Sequence, residues 1–310
     1  MGIRFDDRVA VITGAGGGLG KAYALLLASL GAKVVVNDLG GSFDGTGSDT
    51  TPAQKVVDEI KSNNGDAVAN YDSVSDWEGA QNIIKTAIDS YGKIDILINN
   101  AGILRDKSML KMELDDYRKV MSVHLDGTFF CTKAALPYMR DNNYGRIIGT
   151  SSGAGVYGNF GQTNYGPAKM GIVGLMSCVK QEGGKYNIFA NTIVPVAGTR
   201  LTATIFPPDL LEKLKPEAVA PIVAWMASEE CDVSGNIFSA GGGYISRAAV
   251  VEGPGVIFKE SELTVDNVAA KINEIKSIEG GTEFDSVTAQ TTTIMFKFSQ
   301  QLSFISLLRR

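Results

Sequence analysis

The segment Thr13-Gly14-Ala15-Gly16-Gly17-Gly18-Leu19-Gly20 restricts this chain more than any other stretch. Before it lies a short β-branched run, residues 9–12. After it come residues 21–30, helix formers throughout, ended by Gly31. A strand, a glycine turn and a helix start in that order aim backbone N–H groups and the positive end of a helix dipole at one point, which suits a pyrophosphate. The spacing is Gly-x-x-x-Gly-x-Gly, at Gly14, Gly18 and Gly20. A glycine-rich loop taken alone is more often just a tight turn. Its place between a first strand and a first helix favours the phosphate cradle.

The alternation continues down the chain. Residues 34–36 read as strand, 52–63 as helix, and 94–98, apolar apart from Asp95, as a strand of the kind buried on both faces. Trp77, Ala80, Ile84, Ala87, Ile88 and Tyr91 recur at helical spacing. Residues 117–139 read as helix that Pro137 should bend or end, 146–150 as strand, 167–180 as helix and 188–194 as strand. Strands alternating with helices of this length imply an α/β fold, a doubly wound parallel sheet with helices on both faces. Composition changes after Ser246. Residues 1–247 are expected to form the main domain and 248–310 an extension. That extension holds a turn at Gly253-Pro254-Gly255, a short helix over 263–277 and a Thr-rich linker over 280–293. An apolar stretch over 295–308 follows, which needs a partner surface.

The second strand runs into Asn37-Asp38, 18 residues past Gly20. A carboxylate there hydrogen-bonds the adenine ribose of a dinucleotide and repels a 2′-phosphate. No Arg or Lys follows within ten residues and none lies inside the glycine turn, so NAD is favoured over NADP. The plainer alternative makes Asp38 a loop residue.

A third cluster is Ser151-Ser152, then Tyr165 thirteen residues past Ser152, then Lys169. On a helix Tyr165 and Lys169, four apart, share a face. A phenol has a pKa of about 10, and a nearby ammonium together with an oxidised nicotinamide is expected to lower it. Tyr165 could then take the proton of an alcohol while Ser152 holds the same oxygen in line. Tyr-x-x-x-Lys alone is often just a solvated helix face. Its conjunction with the glycine turn, Asp38 and Asn99-Asn100-Ala101-Gly102 after a buried strand carries the weight. Pro167 is tolerable if Tyr165 opens the helix.

Other chemistries are narrowed by composition. The net charge of −5 argues against a nucleic-acid partner. With His124 the only histidine, a His-rich metal site is excluded, no metal is expected, and any Ser-His-Asp scheme would have to use His124. Three cysteines, Cys131, Cys178 and Cys231, without C-x-x-C spacing read as free thiols of a reducing compartment. No apolar run approaches the ~18 residues of a membrane span. The start MGIRFDDRVA is expected to be neither a secretory leader nor, with Asp6 in place of Ser or Thr, a myristoylation site. The ending Leu308-Arg309-Arg310 is not a peroxisomal tripeptide address.

Over about residues 5–245 these motifs resemble the short-chain dehydrogenase/reductase family. The segments VVVNDLGG, AVANYDSV, NNAGILRD, YGNFGQTNY, LKPEAVAPIVAW and FSAGGGY resemble its (3R)-hydroxyacyl-CoA dehydrogenase branch, the units found in peroxisomal multifunctional enzymes of type 2. Residues 263–277 look like the extension of that unit. The resemblance implies a Rossmann-like fold, a homodimer, and NAD-dependent oxidation of (3R)-3-hydroxyacyl-CoA to 3-ketoacyl-CoA in fatty-acid β-oxidation. It implies peroxisomal location, cytoplasmic otherwise, with a hydratase domain or subunit as companion. It assigns catalysis to Ser152, Tyr165 and Lys169, with His124 nearby. Cofactor contacts fall by position to Thr13, Gly14, Gly18, Leu19, Gly20, Asp38, Asp72, Ser73, Asn100, Ala101, Gly102, Tyr165, Lys169, Val196, Ala197, Gly198 and Thr199. Arg105 and Arg200 are the candidates for coenzyme A.

Two departures stand out. Where most of the family has an asparagine, this chain reads His124-Leu125-Asp126-Gly127, and His124 is either a scaffold residue acting through its backbone or a titrating catalytic group. The hydratase domain and peroxisomal address of the branch are not seen, and residues 282–310 match nothing familiar. The rivals are an NADPH-dependent 3-ketoacyl reductase, a hydroxysteroid or other secondary-alcohol dehydrogenase, and an inactive NAD-binding assembly module.

Overall fold

The apolar run at residues 9–13 is wholly buried and forms β1 (Val9–Thr13). Around it lies a sheet of eight strands in the order β3-β2-β1-β4-β5-β6-β7-β8. The others are β2 (Lys33–Asn37), β3 (Asp66–Asn70), β4 (Ile96–Asn99), β5 (Gly145–Thr150), β6 (Ile188–Pro195), β7 (Ile237–Gly241) and β8 (Tyr244–Ala248). Every pairing from β3 across to β7 is parallel. Gly242 and Gly243, both at positive φ (57° and 87°), join β7 to β8 as a two-residue turn that only glycine-like residues enter easily. This computed structural model describes residues 2–198 and 213–307. They fall into two compact units, Met1–Arg247 and Ala248–Arg310.

Alternate strand residues feed two separate cores, as the period of two requires. Ala10, Ile12, Val34 and Val36 pack with Leu27 of α1 (Gly18–Ser29), Val56 and Ile60 of α2 (Thr51–Ser62) and Val223 of α8 (Ala220–Ala227). Val9, Val11, Val35 and Leu97 pack on the other face. Their partners are Ile83 and Ile84 of α3 (Trp77–Tyr91), Met139 of α5 (Gly127–Asp141) and Ile172 and Met176 of α7 (Tyr165–Gly183). Each such side chain contributes roughly 1.5–3 kcal/mol on burial. Helix α3 shows how local chemistry sets the ends. The Asp76 carboxylate accepts the Gly79 N–H at 2.7 Å, and Gly92 at φ 78° closes the last turn.

The sequence reading needs correction in several places. Strands β3, β7 and β8 had no periodic signal of their own. The helix expected over 117–139 is α4 (Leu114–Met121), a π turn at Ser122–Asp126, and α5. Pro137 does not end it, and α5 continues to Asp141. In the second unit, residues 263–277 form two short helices, α9 (Val265–Ala270) and α10 (Ile272–Ile275). The linker expected over 280–293 is half helix, because α11 runs Val287–Leu307. The threonines that suggested a loop are accommodated: Thr293 donates its hydroxyl to the Ala289 carbonyl at 2.9 Å, and Ser286 caps the start by accepting the Ala289 N–H at 3.1 Å.

Candidate active site

Strand order reverses between β1 and β4, and ligand crevices of such sheets open at that point, beyond the carboxyl ends of the strands. A cleft of about 600 Å³ lies here. Gly14 stands at φ 64°, and a Cβ on it would lie 2.7 Å from the Ala101 Cα. A Cβ on Gly20 would lie 2.4 Å from the Gly14 carbonyl oxygen, so both are packing requirements of the turn. Gly17 differs: a Cβ there would meet nothing within 4 Å. Helix α1 has no side-chain cap and no acidic residue in its first turn. Its leading N–H groups thus have neither a side-chain acceptor nor a local anion, and an external anion suits them.

Around this turn the supports are polar and specific. The Asp38 carboxylate accepts the Gly16 N–H at 2.8 Å through one oxygen and the Gly40 N–H at 2.7 Å through the other. Each oxygen keeps a further lone pair for a ribose hydroxyl. Buried Asn37 donates to Asn70 at 2.8 Å and to the Asp72 carbonyl at 2.9 Å, and Asn70 donates to the Asp72 carboxylate at 2.7 Å. The Thr13 hydroxyl accepts the N–H groups of Asn100 (3.0 Å) and Ala101 (3.1 Å), and the Asn100 amide donates to the carbonyls of Thr13 and Gly14, both at 3.0 Å. Gly14, Gly18, Leu19, Asp38, Asp72 and Ser73 line the cleft, as do Asn100, Ala101, Gly102, Val196 and Ala197. Thr13, Gly20 and Gly198 are not among its lining residues. Thr199 and Arg200 lie outside the described residues. The donor set, the open glycine face and the carboxylate at the end of β2 fit a dinucleotide.

At the other end Ser152, Tyr165, Lys169 and His124 line the same cleft. Ser152 is the N-cap of α6 (Gly153–Tyr157), accepting the Ala154 N–H at 3.2 Å. Tyr165 opens α7, its N–H held at 2.7 Å by the Asn164 side chain, so Pro167 falls in the first turn. One turn on, buried Lys169 donates to the Thr150 carbonyl at 2.6 Å, its ammonium 5.5 Å from the Tyr165 ring centroid. His124 is buried in the π turn, edge-on to Tyr165 with ring centroids 5.1 Å apart. Its Nε2 lies 3.0 Å from the Ile103 N–H and 2.8 Å from the Ile103 carbonyl, and its Nδ1 has no partner. The His124 carbonyl accepts the Thr128 hydroxyl at 2.6 Å.

Burial dominates the electrostatics of this cluster. Burial pushes the Tyr165 phenol up to about 12, opposed by the Ser152 hydrogen bond and reinforced by the negative charge of Asp106. Burial brings Lys169 down to about 7. Desolvation sets the direction for the phenol in the chain's own surroundings, and the lowering expected above draws on an oxidised nicotinamide as well as the ammonium. Burial, then the Lys169 charge, pushes His124 well below the ordinary histidine range, against a smaller opposing pull from its Ile103 hydrogen bond. Its imidazole is neutral at physiological pH.

Sequence reasoning missed a polar cluster beside Tyr165. The Gln162 amide donates to Asp106 at 2.7 Å and accepts from Asn159 at 3.0 Å, which fixes its orientation at both ends. Burial raises Asp106 above the usual carboxylate range, with Gln162 pulling the other way. Its members come from segments 56 residues apart, so no local spacing signals them. Arg105 is already engaged, donating to the Asp44 carbonyl at 2.8 Å and to Asp116 at 3.1 Å. Among the described residues no cluster of three or more His, Cys, Asp or Glu could hold a metal, and no helix is long and apolar enough to cross a membrane.

The pattern of the short chain dehydrogenase family matches residues 8–207, and the chain belongs to that family. It is 53% identical over 245 residues to peroxisomal multifunctional enzyme type 2 of Mus musculus, a match covering 79% of this chain and 33% of that protein. It superposes on the full-length peroxisomal multifunctional enzyme type 2 of Drosophila melanogaster with a TM-score of 0.81 and 39% identity, covering 97% of this chain and 51% of that one. The chain thus spans a third to a half of these two relatives. A 7α-hydroxysteroid dehydrogenase solved with NADH and 7-oxoglycochenodeoxycholic acid is also similar, with a TM-score of 0.69 and 29% identity over 77% of this chain and 95% of that one. Within its family this chain is related to the dehydrogenase unit of peroxisomal multifunctional enzyme type 2, and it is a dehydrogenase acting on CH–OH groups.

Proposed function

We propose that this chain oxidises (3R)-3-hydroxyacyl-CoA to 3-ketoacyl-CoA with NAD. The observation that carries it is the convergence of Ser152, Tyr165 and Lys169 on a cleft whose other end presents the glycine turn and Asp38. The glycine turn and the first turn of α1 would hold the pyrophosphate, Asp38 and Asp72 would serve the adenosine, and Val196 and Ala197 would serve the nicotinamide. NAD, when bound, supplies the hydride acceptor and a positive charge. Tyr165 receives the alcohol proton at its phenolic oxygen, Ser152 holds the substrate oxygen by a hydrogen bond, and Lys169 contributes a cation that favours the phenolate. His124 buttresses the Tyr165 ring and the 103 backbone while staying neutral.

Asp38 and the absence of a basic residue after it support NAD over NADP. Likeness to multifunctional relatives supports an acyl-CoA substrate, a homodimer, a hydratase working on the same substrates and a peroxisomal setting. The test is NADH formation against (3R)- and (3S)-3-hydroxyacyl-CoA esters of several chain lengths. Turnover confined to the (3R) series with NAD is expected. Turnover of a hydroxysteroid but of no acyl-CoA ester would transfer the assignment to that substrate class, and NAD binding without turnover of any alcohol would leave a binding module.

A further inference from the structure

Beside the main cleft lies a second depression of about 360 Å³, lined by Arg105, Asp115, Arg118, Lys119 and Ser122. Lys119 lines both, so the two are contiguous. Three of the five residues are cations in a chain whose net charge is −5. They are not equivalent. Arg105 is tied to Asp116, which also takes Lys107 at 2.7 Å. Arg118 and Lys119 form no ion pair among the described residues, although Asp115 shares their rim. Two adjacent cations that form no ion pair among the described residues, at the mouth of a substrate cleft and outnumbering the one carboxylate on their rim, Asp115, are a site for a polyanion.

We infer that Arg118 and Lys119 bind the phosphorylated nucleotide end of coenzyme A. This rests on the acyl-CoA reading above and names the part of the substrate that the catalytic cluster does not touch. Phosphate is also offered by the dinucleotide, but that ligand has its own donors in the glycine turn and its own carboxylates in Asp38 and Asp72. Apart from Lys119, no residue of the depression lines the main cleft. Arg105, the candidate named from sequence, also lines the depression, but its guanidinium is engaged by Asp116 and the Asp44 carbonyl.

The test compares two thioesters of the same 3-hydroxyacyl group, one on coenzyme A and one on pantetheine, which lacks the nucleotide phosphates. Wild-type protein is expected to show a KM about tenfold lower for the coenzyme A ester. In Arg118→Ser/Lys119→Ser that ratio collapses toward one, while Arg118→Lys/Lys119→Arg retains it. Calorimetry on NAD-saturated protein adds a readout independent of turnover: free coenzyme A binds wild type and binds the serine double variant at least tenfold more weakly. If neither ester is oxidised yet coenzyme A binding is lost in the variant, the proposed reaction fails and the phosphate site stands. An unchanged ester ratio and unchanged coenzyme A binding in the variant would overturn the site. So would a loss confined to NAD affinity, which would hand these cations to the dinucleotide.

Discussion

Replacing Lys169 by methionine should make the folded protein more stable and inactive. The ammonium is buried, 3% exposed, with a single hydrogen bond to the Thr150 carbonyl. Burial takes its pKa from 10.5 to about 7, a drop of about 3.5 units. The unfolded chain keeps the ordinary value, so between pH 7 and 10.5 it binds more protons than the folded chain, and stability rises with pH across that window. The penalty is complete below about pH 7, relaxes as pH climbs, and has vanished above 10.5. At about 1.4 kcal/mol per unit it amounts to about 5 kcal/mol at its fullest. Losing the Thr150 hydrogen bond offsets about 1–2 kcal/mol of the gain. Methionine fills the same unbranched volume without a charge.

A net gain of about 3 kcal/mol is therefore expected at pH 6.5, or about 6–12 °C in Tm. It should shrink to about 1 kcal/mol at pH 8.5 and turn into a loss of about 1 kcal/mol near pH 10.5, where little but the missing hydrogen bond remains. Urea unfolding at these three pH values, followed by circular dichroism at fixed protein concentration, measures it. A variant less stable than wild type at pH 6.5, or a difference that ignores pH, would refute the claim that this ammonium is held against its own desolvation.

Tyr165→Phe should keep NAD binding, measured by fluorescence titration, and lose about 10²–10⁴-fold in turnover; unchanged turnover would remove Tyr165 as the base. Asp38→Ala should weaken NAD and narrow the preference over NADP, and should cost about 1–3 kcal/mol in unfolding experiments because the Gly16 and Gly40 N–H groups lose their acceptor. Gly102→Ala places a Cβ 2.4 Å from His124 Cε1, so a loss of about 1–3 kcal/mol and a fall in turnover are expected. Burial keeps His124 neutral, so its imidazole NMR signals should not move between pH 6 and 8; a titration there would return His124 to the list of acid–base groups.

The parts of this molecule that were legible in sequence are those whose physics is local. Residues 9–12 declare a buried strand by being apolar without interruption and 94–98 by being apolar apart from Asp95, and Gly14 and Gly20 declare a turn because nothing larger fits against Ala101 and the Gly14 carbonyl. The short β3, reading Asp-Ala-Val-Ala-Asn with one β-branched residue, takes its strand conformation from pairing with β2 and was invisible alone. The Asp106–Gln162–Asn159 cluster exists only because the chain returns to the same place.

Energetics were the least legible of all. Spacing places Tyr165 and Lys169 on one face, and a lowered phenol is expected there from the ammonium together with an oxidised nicotinamide. What decides the sign is desolvation. The same burial that brings the pair together raises the phenol to about 12 and lowers the amine to about 7, so each neutral form is favoured. Under the proposed reaction, the positive charge of an oxidised nicotinamide would oppose that burial and favour the phenolate. This matches where the chain puts its unspent polar capacity: uncapped N–H groups at α1, spare lone pairs on Asp38, and an unpartnered Nδ1 on His124. A fold that minimised its own energy would satisfy these groups internally, and leaving them open is consistent with a site completed by what it binds.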